Sequence, residues 1–249
     1  MMKLLNAVFR PDREQWQALA TLLQIPEQEV RGLGDDRRLS YRPFEIARKG
    51  RRPRQILAPS AVLRQLQRRL LSAYLNCFPV HPAATAFGKG CSVAKHAAVH
   101  AGRSLILTAD LQDFFESTQR TRVRRWFRQH DWSDACTQTL VWLTCFQNGL
   151  PQGAPTSPAL SNLLNVPLDE QLQDLAAGSG GRYSRYCDDL AFSWNRDREP
   201  RGFRSSVDSI VRRFGYGLQS EKGWYLQSSR SPQVVTGVVI SGRHLTVPR

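Results

Sequence analysis

The sequence has no long apolar run, no closely paired cysteines and no internal repeat, and the first two absences each exclude a class of protein. No stretch approaches the ~20 apolar residues that a helix needs to cross a bilayer, and the first residues lack the apolar segment of a signal peptide. The five cysteines form no CxxC pair and have no histidine at ligand spacing, which supports neither a disulfide framework nor a zinc site. We therefore expect a cytoplasmic protein with reduced cysteines and no membrane partner.

Acidic residues are few relative to basic ones. The chain of 249 residues has a formal net charge of +14, and 30 of its 35 basic residues are arginine. A guanidinium group binds phosphate through paired hydrogen bonds and stacks on bases, so a nucleic-acid partner is favoured over an acidic protein or a membrane surface. Arginine enrichment also follows from the base composition of some genes, so the charge indicates a polyanion without naming it. The length allows a buried core in one or two domains.

Two adjacent acids, Asp188 and Asp189, stand between apolar runs in the segment RYCDDLAFS. This pattern predicts two short strands joined at an acidic turn. Neighbouring carboxylates repel unless a divalent cation neutralises them, and Mg²⁺ prefers carboxylate oxygens together with substrate phosphates. Asp110, which closes a predicted strand at residues 104–110, would complete a two-ion site for phosphoryl transfer. From these residues alone, a polar hairpin tip is an equal alternative.

Periodicity and turn signals predict the remaining elements. Strands are expected on either side of a basic turn at residues 48–54, and a C-terminal hairpin is expected at residues 234–240 and 244–247. A basic helix is predicted near residues 120–128. Further helices are predicted at residues 12–24, 60–78, 92–101, 133–146, 157–177 and 201–214.

Two loops and one lysine carry further hypotheses. The basic turn is either a solvated hairpin tip or a clamp for a triphosphate or a template backbone. Residues 149–158 hold three prolines and two glycines, which predicts a rigid loop suited to holding a template base or a nucleotide, with Gln152 able to hydrogen-bond in either sense. Lys222 is either a proton donor to leaving pyrophosphate or a surface lysine.

In their order along the chain, these motifs resemble those of bacterial reverse transcriptases, most closely the retron type. Residues 150–162 are similar to the LPQGAPTSPxLSN loop almost letter for letter, and residues 186–189 match the YxDD box. The other matching segments are two fingers motifs at 49–59 and 87–92, a palm motif at 109–115, a lysine motif at 218–222 and a primer-grip hairpin at 235–240.

Two sequence motifs resemble those of retron enzymes in particular. Residues 235–237 match a VTG triplet, and residues 96–100 resemble NAxxH with His96 in place of the asparagine. The resemblance covers about residues 40–249. Family members continue beyond this point into a helical thumb, so we expect the thumb to be absent or truncated.

The resemblance implies an α+β right-hand polymerase fold, with an antiparallel palm sheet packed on helices. We expect N-terminal accessory helices at residues 1–40 and fingers at 41–104 with part of 120–150. We expect a palm at 105–233 and a primer-grip hairpin at 234–249.

The implied activity is that of an RNA-directed DNA polymerase, a nucleotidyltransferase that uses two Mg²⁺ ions, with Mn²⁺ as a substitute. It would copy a structured noncoding RNA, which is both template and primer, from dNTPs into RNA-linked DNA (msDNA). The resemblance also implies a role in antiphage defence with an effector protein. Two alternatives stay open: another bacterial reverse transcriptase, group II intron-like or of the abortive-infection type, or a non-catalytic RNA-binding subunit of a defence ribonucleoprotein.

The resemblance also implies roles for individual residues. Phe115 is expected to be a steric gate against a 2′-OH. Metal and catalytic residues are expected to be Asp110, Asp188 and Asp189, with Leu111 as a further metal ligand and Lys222 as general acid. Contacts with the dNTP are expected from Lys49, Arg54, Asp113, Phe114, Phe115 and Gln152. Contacts with nucleic acid are expected from Arg51, Arg52, Lys89, His100, Tyr186, Thr236 and Gly237.

Overall fold

A computed structural model describes residues 12–48, 51–219 and 223–246. The chain divides into two compact units, and each unit is built from two separate stretches of sequence. The first unit comprises Met1–Pro79 and Phe115–Leu164, and the second comprises Val80–Phe114 and Asn165–Arg249. The assignment of fingers and palm to particular ranges stays a prediction.

Helices and strands alternate irregularly along the chain. The helices are α1 (Asp12–Leu23), α2 (Glu27–Arg31), α3 (Ala61–Ala73), α4 (Val93–Ala98), α5 (Phe114–Ser117), α6 (Arg120–Gln129), α7 (Asp134–Thr144), α8 (Ser157–Leu164), α9 (Val166–Gly178) and α10 (Phe203–Arg213). The strands are β1 (Tyr41–Arg48), β2 (Arg51–Pro59), β3 (Leu105–Asp110), β4 (Arg182–Tyr186), β5 (Asp189–Trp194), β6 (Tyr225–Ser228), β7 (Gln233–Val235), β8 (Val238–Ser241) and β9 (His244–Thr246).

Helices form most of the first unit. Helix α1 buries one apolar face, with Leu19 and Leu23 fully inaccessible, and this face packs into one cluster with residues of α3, α6, α7 and α8. Ser60 and Ser133 cap α3 and α7, since each side chain accepts a hydrogen bond from the third amide along. The predicted strand pair is present as the antiparallel ribbon of β1 and β2, but the turn is shorter than predicted, because β2 begins at Arg51.

Backbone contacts constrain the proline-rich loop of the first unit, residues 149–158. The amide of Leu57 on β2 donates to the carbonyl of Gln152 at 2.7 Å. Gly153 has a φ of +120°, a backbone conformation that residues with a side chain rarely adopt, and it lies against the backbone of Leu57. A Cβ at Gly149 would overlap the backbone carbonyl of Glu116. Backbone contacts therefore fix the loop at both glycines.

The second unit is organised around a four-stranded antiparallel sheet with the order β4-β5-β3-β6. Helix α9 packs on β4, and α10 packs on α9. The sequence patterns miss the edge strand β6, which pairs with β3. Strands β7, β8 and β9 form a separate three-stranded sheet, against which α4 packs. The predicted α+β class, with an antiparallel sheet packed on helices, is confirmed.

Two predicted elements are each divided in the structure. The single helix predicted at residues 157–177 becomes α8 and α9, with a break at Asn165. Pro167 has no amide proton to donate, and its ring would clash with the preceding turn of a continuous helix. The strand predicted at residues 234–240 becomes β7 and β8, with a turn at Thr236 and Gly237.

Within the described part of the chain, no helix has both the length and the apolar character needed to span a membrane.

The close approach at Gly149 gives a test of the loop geometry. Gly149→Ala should lower the free energy of unfolding by about 2 kcal/mol or more, because a backbone carbonyl cannot move aside as a flexible side chain can. Urea denaturation measures the change. Gly34→Ala is the matched control, since a Cβ there meets no atom within 4 Å. Equal stability of the two variants would contradict the described contact.

Candidate functional site

The candidate site lies at one end of the four-stranded sheet in the second unit. Strands β3 and β5 pair in a register that sets Asp110 directly opposite Asp189. Both strands are buried over most of their length, with Ile106, Leu107 and Leu190 inaccessible to solvent. The apolar runs therefore fix the register, and the register brings the acids of two separate segments together.

The acidic turn consists of two residues. Tyr186 pairs with Asp189 across the hairpin, which leaves Cys187 and Asp188 as the turn. Cys187 has a φ of 58°, in the left-handed region that non-glycine residues rarely occupy. The carbonyl of Asp188 accepts a hydrogen bond from the amide of Leu111 at 2.9 Å. The turn is thus joined by its backbone to the residue after Asp110.

A fully buried ion pair supports the same turn. Arg185 donates from Nε and Nη2 to the two carboxylate oxygens of Asp169 on α9, at 2.8 and 2.6 Å, and both side chains are 0% exposed. The hydroxyl of Tyr183 donates to Asp169 at 2.7 Å. Arg185 also donates from Nη1 to the carbonyl of Cys187 at 3.1 Å. The ion pair therefore fixes the strained residue of the turn, a role that the sequence analysis missed.

The three predicted acids form a cluster. One carboxylate oxygen each from Asp110, Asp188 and Asp189 lies within 4.8 Å of the others, and all three side chains are partly exposed. Burial raises the pKa of Asp189 to about 8, and a hydrogen bond with Asp110 and the charge of Asp188 add to the effect. A hydrogen bond from the hydroxyl of Thr236 to Oδ2 of Asp189, at 3.0 Å, opposes it.

This donor set fits a divalent cation. Three carboxylates supply only oxygen ligands, which hard ions such as Mg²⁺ and Mn²⁺ prefer. Without a cation, the cluster reduces its repulsion by holding a proton, as the raised pKa of Asp189 indicates. A divalent ion would relieve the same repulsion while leaving the acids ionised.

The segment before Lys222 pairs with the first acid. The amide of Gln219 donates to the carbonyl of Asp110 at 2.9 Å, and the amide of Gln112 donates to the carbonyl of Gly217 at 2.8 Å. The predicted lysine motif thus begins beside the cluster. Lys222 and Lys49 lie outside the described residues, as do the side chains of Arg51 and Arg52.

The residues after Asp110 are placed as follows. Leu111 is buried, whereas Asp113 is exposed with a φ of 44°. Phe114 is buried and stacks on Tyr216 with ring centroids 5.7 Å apart. Phe115 is half-buried and packs against the apolar cluster of the first unit. Both aromatic rings therefore have packing partners, and the steric gate at Phe115 stays a prediction.

Two of the residues predicted to contact the dNTP, Arg54 and Gln152, lie among the described residues of the first unit. Arg54 is exposed on β2, and the side chain of Gln152 is half-buried. A cavity of about 400 Å³ lies beside the proline-rich loop, and Gln55, Phe146 and Asn148 are among the residues that line it. Contacts of Arg54 and Gln152 with a nucleotide stay predictions.

The predicted nucleic-acid residues of the second unit differ in exposure. Lys89 and Gly237 are exposed, and Tyr186 and Thr236 are half-buried. His100 is fully buried, with Nδ1 2.8 Å from Ser193 Oγ and Nε2 2.8 Å from Ser184 Oγ. Burial lowers the pKa of His100 well below its ordinary value. These are the contacts of a structural histidine, and binding of nucleic acid by His100 stays a prediction.

Comparison with known proteins identifies the family. Residues 46–231 match the profile of the family described as "Reverse transcriptase (RNA-dependent DNA polymerase)". The chain therefore belongs to the reverse transcriptase family. Curated retron reverse transcriptases are among its relatives within that family, which confirms the retron resemblance.

Three relatives illustrate the similarity. Retron Ec86 reverse transcriptase of Escherichia coli is 34% identical over 84% of this chain and 66% of its own length. Retron Mx162 reverse transcriptase of Myxococcus xanthus is 30% identical over 93% of this chain and 54% of its own length. Retron Mx65 reverse transcriptase of the same organism is 33% identical over 81% of this chain and 51% of its own length. The chain thus spans about half to two thirds of the length of these relatives.

A solved structure supports the fold. Apo telomerase from Candida Tropicalis, truncated from its C-terminal domain, superposes with a TM-score of 0.55 at 11% identity, over 85% of this chain and 55% of that one. At this identity the likeness concerns the fold alone. Together with the family match, it confirms the predicted polymerase fold.

The buried ion pair predicts a large stability effect. Asp169→Ala should lower the free energy of unfolding by about 3–5 kcal/mol, because it leaves the buried Arg185 without a counter-charge. Urea denaturation measures the loss. The control is Asp208→Ala, which removes an exposed ion pair with Arg212 and should cost about 0.5 kcal/mol. Similar losses in both variants would contradict the structural role of Asp169.

The pKa of Asp189 predicts a pH dependence. Its value of about 8 in the folded chain exceeds the ordinary 3.8, so the folded state holds the proton more tightly than the unfolded state. The contribution of Asp189 to stability is therefore fully present when the pH is below the ordinary pKa, and it is lost as the pH rises through the folded-state pKa. With EDTA present, Asp189→Asn should reduce the fall in Tm between about pH 5 and about pH 9 by several degrees.

Thermal unfolding across this pH range measures the effect. Asp197→Asn, a change at an exposed acid, should keep the wild-type profile. An Asp189→Asn profile parallel to that of the wild type would show that Asp189 does not hold a proton in the folded state.

Proposed function

We propose that this chain is the catalytic part of a retron-type RNA-directed DNA polymerase, which copies a structured noncoding RNA into DNA. The observation that carries the proposal is the convergence of Asp110, Asp188 and Asp189, whose carboxylate oxygens lie within 4.8 Å of one another. Membership in the reverse transcriptase family supports the reaction class, and the similarity to retron enzymes supports the choice of template.

The three acids have distinct positions for this chemistry. Asp110 and Asp188 would hold two Mg²⁺ ions, and Asp189 would assist near the primer end. Bound ions would lower the pKa of the attacking hydroxyl and neutralise charge on the leaving phosphates. The chain contributes a rigid frame, because the paired strands and the buried Arg185 prevent the acids from separating under their own repulsion.

The basic charge supports an RNA partner. A net charge of +14 favours binding to a phosphate backbone, and template and primer both supply one. Lys89 and Gly237 are exposed in the second unit and would contact nucleic acid there. Arg54 and Gln152 would contact the dNTP, Phe115 would exclude the 2′-OH, and Lys222 would act as general acid.

The wider biology is proposed on the family resemblance. The RNA would prime synthesis from a 2′-OH and remain joined to the DNA product. The polymerase would act with an effector protein in antiphage defence. Curated relatives named retron reverse transcriptases support the retron type on which this proposal depends.

The decisive variant is Asp188→Asn, which keeps the shape of the side chain and removes its charge. Divalent-ion-dependent incorporation of dNTPs on an RNA template should fall by at least about 100-fold, since loss of a metal ligand costs more than loss of its supporting contacts. Primer extension in Mg²⁺ or Mn²⁺ measures the rate, and filter binding should show unchanged RNA affinity.

Asp197→Asn is the matched control, because Asp197 is an exposed acid outside the cluster. It should keep the wild-type rate. A wild-type chain that binds RNA but incorporates no dNTP with either ion would contradict the proposal, as would full activity of Asp188→Asn.

A further inference from the structure

The turn between β7 and β8 places a threonine in an unfavourable backbone conformation. Val235 pairs with Val238, so Thr236 and Gly237 form a two-residue turn, with φ values of 46° and 79°. Positive φ at both central residues is the pattern of a type I′ hairpin turn, which favours Asn and Gly. A β-branched residue in the left-handed region is a genuine outlier, so the turn itself gives no reason for threonine at this position.

The residues around the turn hold it in place. Val235 and Val238 are buried in one apolar cluster with Ile106 of β3 and Ala191 of β5. These two strands carry Asp110 and Asp189. The turn is therefore anchored on the same strands that position the acids, and the location of the Thr236 side chain relative to the cluster is fixed by packing.

The side chain of Thr236 reaches the cluster directly. Its hydroxyl donates to Oδ2 of Asp189 at 3.0 Å. Asp189 is one of the three acids whose carboxylate oxygens lie within 4.8 Å of one another. A hydroxyl donor restricts the rotation of this carboxylate, so it favours one orientation of the oxygens that a cation would bind.

We propose that Thr236 is a positioning residue, whose hydroxyl holds the Asp189 carboxylate in the orientation that binds a divalent cation. The inference rests on the proposed function, since it assumes that the acid cluster binds such ions. It assigns the threonine of the VTG triplet a role at the metal site, and it accounts for a strained threonine in a turn that glycine or asparagine would fill with less strain.

The test separates the hydroxyl from the backbone. Thr236→Val removes the hydroxyl and keeps the branched, strained side chain. Thr236→Gly removes the hydroxyl and relaxes the backbone, so its Tm should be equal to or higher than that of the wild type. Thr236→Ser keeps the hydroxyl. Thr246→Val, at an exposed threonine on β9 of the same small sheet, is the matched control.

Binding of Mn²⁺ to the full chain, followed by EPR, is the primary measurement. Affinity should fall by roughly 10–100-fold in Thr236→Val and Thr236→Gly, and should stay within about threefold of the wild type in Thr236→Ser and Thr246→Val. In primer extension, a higher Mn²⁺ concentration should restore much of the rate of Thr236→Val, but not that of Asp188→Asn.

The outcomes distinguish two failures. If the wild type binds Mn²⁺ and both hydroxyl-free variants bind it equally well, the role of Thr236 is wrong and the proposed function stands. If affinity follows Tm across the variants, the contact is structural and the inference is also wrong. If the wild type binds Mn²⁺ no better than Asp188→Asn does, the metal site itself is wrong, and the proposed function falls together with the inference.

Discussion

The repulsion among three carboxylates is the constraint on which the second unit depends. Asp110 and Asp189 face each other across paired strands, and Asp188 adds a third charge from the turn. Left to themselves, such groups separate or take up a proton, and the raised pKa of Asp189 indicates the second response. The sheet prevents the carboxylates from separating, because a slip in the register of its buried strands would turn every apolar side chain of the strand to the other face.

Two contacts from separate elements add to this frame. Arg185, paired with Asp169 inside the fold, donates to the carbonyl of Cys187 and so fixes the turn. Thr236 donates to Asp189 from the neighbouring small sheet. A buried ion pair adds little net stability compared with apolar packing, but removal of one partner is strongly unfavourable. Its contribution here is therefore geometric: it allows one arrangement of the turn and makes the alternatives costly.

Sequence patterns predicted the elements that carry local signals. Most of the predicted helices, the ribbon around the basic turn and the two acid-bearing strands are present. Strand β6 was missed because it is a short edge strand defined by its pairing with β3, which is distant in the chain. The turn at Thr236 and Gly237 and the break before Pro167 have local signals, but apolar residues continue on both sides of each. No periodicity links Asp169 to Arg185, since only the folded chain brings them together.

The histidine that departs from the NAxxH pattern fits the same frame. Nδ1 of His96 lies 3.1 Å from Thr85 Oγ1 and 2.9 Å from Ser184 Oγ. Thr85 donates to the carbonyl of Arg185, so it accepts from His96, which places the proton on Nδ1. Burial, with the charge of Arg185, lowers the pKa of His96 to about 4, so a neutral ring is expected. An asparagine amide carries its donor at the same distance from the backbone, and a histidine can therefore replace it. Ser184 extends the network to His100, 2.8 Å away, and supports the strand that leads into the acidic turn.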